Sequence, residues 1–302
     1  MLNLSACAWL DQQQRANGYK PTPGTMADWK VISPNEQALW LPITAQLPAD
    51  ADQMQADGSP QQIRAIWIPS KETNAPAVLY LHGTFRNMFQ NRPKIAAIHE
   101  AGFSVLALDY RGWGESTPLL PSESTINQDA QAAWAELGRL QPNANYRVIF
   151  GHSMGSGVAV ELAYRQPSSY AALVLEAPMT SMPDIARDYG WFGPLIAPLV
   201  TQQFASIDKI ASVSAPTWFL TGSADNTVPS QQALRLYDKA TGEKHLEVFD
   251  GGSHSGLHKE FKERYLQTWA AVANRVQLGK PSLVDLPPTV AGKIQSTIQS
   301  NE

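Results

Sequence analysis

The stretch "VIFGHSMGSGVAVELAYR", Val148 to Arg165, runs from an apolar segment through a glycine-flanked serine into a helical pattern. "YRVIF" reads as a buried strand, "GHSMG" as a sharp turn and "SGVAVELAYR" as a helix. That is the context a G-x-S-x-G nucleophile turn requires. The glycines have a steric task there, because side chains flanking a strained turn would collide with the adjoining strand and helix. The pentapeptide alone is short enough to arise by chance, and the plain reading of Ser153 is a helix N-cap. The flanking strand and helix favour the nucleophile.

Similar apolar runs recur on both sides. "AVLYLH" (Ala77–His82), "FSVLALD" (Phe103–Asp109), "AALVLEA" (Ala171–Ala177) and "TWFLTG" (Thr217–Gly222) are continuous and do not alternate, and "HLEVF" (His245–Phe249) is a weaker sixth run. Strands buried on both faces look like this. "ALWLPITAQL" and "IRAIWIPS" read as two earlier strands. Helical patterns lie between the runs; in "INQDAQAAWAELGRLQ", Ile126, Ala130, Ala133, Trp134 and Leu137 recur at helical spacing. Alternating strands and helices predict an α/β fold with a mostly parallel sheet covered on both faces. Residues 1–25 read as a polar, turn-rich lead-in. Residues 26–278 form the main domain, with an insert at about 178–210, and 279–302 form a Pro- and Ser-rich tail.

Composition narrows the function. The 302 residues are 43% hydrophobic and 17% charged, with a net charge of −4 and no basic run, which argues against nucleic-acid binding. No apolar stretch reaches the roughly 18 residues of a membrane span. The single cysteine, Cys7, rules out an intrachain disulfide and a cysteine zinc cage. "LSAC", Leu4–Cys7, resembles the lipobox of bacterial lipoproteins, which would anchor the chain in the cell envelope through a lipid on Cys7. Only six residues precede it, without a basic n-region or a full apolar h-region. The other reading is a free thiol in a cytoplasmic protein.

A serine hydroxyl needs a base to become a nucleophile at neutral pH. With the superfamily order Ser, acid, His, the histidine follows Ser153. His254, in the small-residue loop "DGGSHSG", is the candidate. His245 reads as a half-exposed strand residue and His258 as a surface residue of a helix start. Asp225, in the loop after "TWFLTG", is the candidate acid, at the strand end where parallel sheets face their ligands; Asp208 and Asp250 are its rivals. Oxyanion donors would be the amides of Met154 and of Thr84, with Phe85 second to Thr84. His82, His152, Asp109 and Arg111 read as structural. Phe85, Trp191 and Phe192 are candidate substrate contacts, the last two in the apolar insert "WFGPLIAPLV".

"LHGTFRN", "LDYRGWGES", "GHSMGSG", "GSADNTVP" and "GGSHSG" stand in the order and spacing of the α/β-hydrolase superfamily. The resemblance runs from about Ala75 to Val276 and is greatest to esterases and to monoacylglycerol-lipase-like or serine-aminopeptidase-like members with a small cap. It implies hydrolysis of a carboxylic ester through an acyl-enzyme, with Ser153, Asp225 and His254 as triad and no metal or organic cofactor. The expected partner is a small ester or acyl substrate. A thioesterase or peptidase would use the same groups, though an exopeptidase would need carboxylates for the substrate ammonium; Asp184, Asp188 and Glu176 are those near the insert. A binding protein on this fold would predict a damaged triad, and the sequence has none.

Overall fold

A computed structural model describes residues 2–46, 60–188 and 190–278. Eight strands form one sheet among these residues: β1 (Gln37–Pro42), β2 (Gln62–Ile68), β3 (Ala77–Leu81), β4 (Ser104–Asp109), β5 (Arg147–His152), β6 (Ala172–Glu176), β7 (Thr217–Gly222) and β8 (Lys244–Phe249). Their order is β1-β2-β4-β3-β5-β6-β7-β8. The pairs β1–β2 and β2–β4 are antiparallel, and every later pair is parallel. The strands from β3 to β7 are buried along their whole length except at Arg147, which opens β5, and this is why their sequences do not alternate.

The helices are α1 (Leu2–Tyr19), α2 (Met88–Glu100), α3 (Glu123–Leu140), α4 (Met154–Arg165), α5 (Met182–Arg187), α6 (Gly193–Ile196), α7 (Ser230–Lys239), α8 (Leu257–Glu260) and α9 (Lys262–Leu278). The pleat splits the core in two. Ala77, Leu79 and Leu81 of β3 join Ile126, Val158 and Leu236 of α3, α4 and α7 on one face. Val78 and Tyr80 join Ile95 of α2 and Trp269 of α9 on the other. All five helically spaced residues named for α3 are buried.

The structure differs from the sequence reading at both ends of this scaffold. The lead-in is mostly helix: α1 covers residues 2–19 and contains the "LSAC" stretch, with Cys7 exposed. Polar side chains strap α1 to the body. Arg15, itself buried, donates to the carbonyls of Leu120 (3.3 Å) and Pro121 (3.4 Å), and Gln14 donates to Leu199 (2.7 Å). The isolated helix has no clean apolar stripe, so tertiary contacts fix it. Most of the loop between β1 and β2, and the whole tail from 279, lie outside the described residues. The insert forms α5, α6 and short 3₁₀ turns, as its length suggested.

At the carboxyl end of β6, Glu176 is fully buried and accepts from Lys94 Nζ (2.5 Å) and the Tyr265 hydroxyl (2.9 Å). The Glu176 carbonyl also receives the Ser153 amide at 3.0 Å, which ties this buried pair to the predicted nucleophile turn. Removing one partner of a buried ion pair strands the other charge and costs about 3–5 kcal/mol. Lys94→Met is therefore expected to lower unfolding free energy in urea by about 3 kcal/mol or more. The double variant with Glu176→Leu should lose less than the two single losses combined.

Candidate active site

Ser153 sits between β5 and α4 with φ 56° and ψ −124°, a backbone region that non-glycine residues avoid. Holding a residue there costs on the order of 1–3 kcal/mol, which surrounding contacts must offset. The glycines of the motif explain how the turn fits. A Cβ on Gly151 would run into the carbonyl of Gly155, and one on Gly155 into the carbonyl of Leu81. Across the turn, a Cβ on Gly83 would come within 2.9 Å of the Ser153 Cβ. Only hydrogen at these positions lets strand, helix and the β3 turn converge on one serine.

The fold brings the three sequence-predicted polar residues into one chain. His254 Nε2 lies 3.1 Å from Ser153 Oγ, and His254 Nδ1 lies 2.7 Å from Asp225 Oδ2. The other Asp225 oxygen accepts the amides of Thr227 (2.8 Å) and Val228 (2.9 Å), so the carboxylate is held by its own loop. With Asp225 ionised, Nδ1 carries the proton and Nε2 is left to accept from the serine. Asp225 is buried, whereas the His254 ring retains 19% of its exposure. His152 Nε2 lies 3.0 Å from the His254 carbonyl, which can only accept; His152 therefore donates and pins the backbone of the His254 loop. The rivals stand elsewhere: Asp250 accepts from Ser223, and His245 stacks on Trp218.

Two backbone amides are the expected oxyanion donors. Met154 is the first residue of α4, where helical N–H groups lack intrahelical partners. In the β3 turn, the Phe85 amide donates to the Tyr19 carbonyl (3.3 Å), whereas the Thr84 amide has no partner among the described residues. This favours Thr84 over Phe85 as the second donor. Below the turn, Asp109 accepts the Met88 amide (2.6 Å), and Arg111 pairs with Asp129 (2.7 Å) with both side chains fully buried, in keeping with a bracing role.

Ser153 and Met154 open into an apolar cavity of about 500 Å³, within the range of small-molecule sites. Met179, Met182, Ile185 and Leu199 of the insert form one wall, and Leu10, Gln14 and Gly18 of α1 form the other. Phe85 borders this cavity. Trp191 and Phe192 do not: they stack on each other at 3.5 Å between ring centroids and point outward, 79% and 53% exposed. The α1 wall was missed by sequence reasoning, although Leu10, Gln14 and Gly18 recur every four residues along one helix face. A second correction concerns His258, expected on the surface. It is buried, and neither ring nitrogen has a partner among the described residues.

The comparisons with known proteins agree with this architecture. Residues 72–208 match the family model described as serine aminopeptidase, S33. An uncharacterized protein of Mycobacterium tuberculosis strain H37Rv is 38% identical over 184 residues, which cover 60% of this chain and 64% of that protein. The lysophosphatidylserine lipase ABHD12 of Danio rerio is 31% identical over 195 residues, covering 59% and 50%. The chain thus spans less than two thirds of the length of these relatives. Among solved structures, the Pyrococcus furiosus esterase Pf2001 superposes with a TM-score of 0.65 at 17% identity, covering 82% of this chain and 94% of that one. Est1E of Butyrivibrio proteoclasticus, solved with ferulic acid, gives 0.60 at 17% identity, covering 74% and 98%. Sheet order and structural neighbours give this chain an α/β-hydrolase fold, and residues 72–208, under half of its length, are similar to the serine aminopeptidase family.

Burial also sets a pH dependence of stability. Desolvation lowers His82 to about 4 and His258 to about 3, with the charge of Lys94 adding to the effect at His258. Below the unfolded value of about 6.5 the unfolded chain takes up protons that the folded chain refuses, so stability falls as pH drops from there toward 3. His258→Phe removes one such group and leaves no unpaired nitrogen. In acid titrations followed by denaturant unfolding, this variant should lose less stability than the wild type between pH 6.5 and pH 4. Equal acid limbs would contradict a neutral buried His258.

Proposed function

We propose that this chain is a serine hydrolase that cleaves carboxylic esters through an acyl-enzyme. The observation that carries the reading is the hydrogen-bonded chain from Asp225 through His254 to Ser153, placed at the mouth of an apolar cavity. His254 Nε2 takes the Ser153 proton as Oγ adds to the ester carbonyl. The amides of Thr84 and Met154 receive the negative oxygen. Collapse expels the alcohol with the proton from His254, and water, deprotonated by the same nitrogen, releases the acid and restores Ser153. Asp225 steadies the imidazolium without taking its proton. The acyl group occupies the cavity between α1 and the insert. The names of the relatives and structural neighbours, esterases and a lysophosphatidylserine lipase, are consistent with ester chemistry.

The aminopeptidase reading suggested by the name of the matching family finds less support. Such a site needs a carboxylate free to hold an ammonium group. Glu176 is consumed by Lys94 and Tyr265, Asp184 by Thr180 and Arg187, and Asp188 by Gln232 and Arg235. Among the described residues, no carboxylate borders the apolar cavity.

The test is a ladder of p-nitrophenyl esters from acetate to palmitate. Ser153→Ala should lose at least about 10³-fold in kcat with its fold intact; substantial surviving esterase activity would remove Ser153 as nucleophile. The cavity reading has its own variant. Nothing lies within 4 Å of the position a Cβ would take on Gly18, so a large side chain there can grow into the apolar space. A helical glycine also gains stability on substitution, by about 0.5–1 kcal/mol toward alanine. Gly18→Trp should therefore move the chain-length optimum toward shorter acyl groups and leave acetate hydrolysis within about twofold. An unchanged optimum would take the acyl chain out of this cavity.

A further inference from the structure

Two spaces with different lining side chains meet at Ser153, the second carrying the titratable and charged groups. The apolar cavity has Ser153 in its lining but not His254. A second cavity, of about 460 Å³, has both Ser153 and His254, together with His152, Arg86, Asn91 and Ser255. Its neighbour, of about 270 Å³, shares Arg86, Asn91 and Ser255 and adds Lys94, His258 and Lys259. In the proposed reaction His254 hands its proton to the departing alcohol, so the alcohol must lie on the side where His254 is exposed. That is the polar side.

The polar side is cationic. The Arg86 guanidinium is exposed and has no hydrogen-bond or ion-pair partner among the described residues. Deeper in, His258 is more than nine-tenths buried, a polar group in the wall whose two ring nitrogens have no partner among the described residues. Burial and then the Lys94 charge hold this ring neutral, with Arg86 acting in the same direction, so one nitrogen remains a donor. The Lys94 charge is itself compensated by Glu176. Among the described residues, the one carboxylate bordering these two cavities is Glu260, which is occupied by the amide (2.9 Å) and hydroxyl (2.6 Å) of Ser253. Arg86 and Lys259 therefore leave an excess of positive charge where the leaving group must sit. A guanidinium without a partner is suited to a carboxylate or a phosphate.

We infer that the alcohol portion of the substrate carries an anionic group, carboxylate or phosphate, received by Arg86 in the polar cavity beside His254. The substrate is then an amphiphile bent at its ester, with the acyl chain between α1 and the insert and the anion on the opposite side of Ser153. The inference rests on the ester-cleavage reading and narrows it to a leaving-group class.

The experiment uses four butanoyl esters that share one acyl group. Their alcohols carry a carboxylate, a phosphate, no charge, or a quaternary ammonium. The wild type should favour both anionic esters, or one of them if a single geometry fits, over the neutral and cationic ones. Arg86→Glu should cut kcat/KM for the favoured anion about tenfold or more, mainly through KM. It should leave the neutral ester within about twofold and raise the cationic one. The anion preference should shrink at 1 M salt, because Arg86 is exposed and screened. An Arg86→Glu variant that slows all four esters equally, or none, overturns the inference. Binding of octyl phosphate to Ser153→Ala, measured by calorimetry, separates this from the hydrolase reading. If adding Arg86→Glu weakens that binding about tenfold, the anion site stands even should no ester be cleaved. If octyl phosphate does not bind, or binds equally with Arg86→Glu, the site falls even should esters be cleaved.

Discussion

The structure depends on one cramped junction, where β5 turns into α4 at Ser153. The backbone there is held at a positive φ by packing against Gly83 and Gly155 and by the amide bond to the Glu176 carbonyl. Glu176 in turn rests on Lys94 and Tyr265, which come from α2 and α9. The strained serine is thus supported by two helices of the opposite sheet face, α2 and α9. Strain of this kind persists only where the surroundings over-determine it.

The same junction organises the chemistry around it. Four loops at the carboxyl ends of parallel strands carry the residues of the proposed site: Thr84 in the β3 turn, Met154 in the β5 turn, Asp225 in the β7 loop and His254 in the β8 loop. Two of them, Asp225 and His254, are positioned by local bonds as well as by the sheet. Asp225 is held by two amides of its own loop, and the His254 backbone is held by His152. A histidine within the nucleophile turn therefore acts as a support for the histidine that faces the serine. The two spaces on either side of Ser153, one apolar and one cationic, follow from which elements border them: α1 and the insert on one side, the starts of α2 and α8 on the other.

Much of this was legible in the sequence because the signals are local and strong. Five unbroken apolar runs mark buried parallel strands, and "GHSMG" carries its own steric logic. Asp225 and His254 followed from chain order and from small-residue loops at strand ends. Phe85 borders the apolar cavity because it sits in the β3 turn beside Thr84. The misreadings share a cause. His258, Trp191 and Phe192 were judged by residue type and neighbourhood in the chain, and their burial or exposure is set by what packs on them from afar. The polar look of residues 1–25 hid a helix whose stability comes from bonds to residues 120–121 and 199–202.

The sequence by itself determined the alternation of strands and helices, the strained serine turn, and which serine, acid and histidine could act together. It could do so because hydrophobic period, glycine sterics and motif order are properties of short stretches. Only the tertiary structure decided the distances among Ser153, His254 and Asp225, the partner of each carboxylate, and the walls of the two cavities. Those depend on contacts between residues far apart in the chain, such as Gln14 with Leu199 and Lys94 with Glu176, whose pairing energy no local pattern encodes.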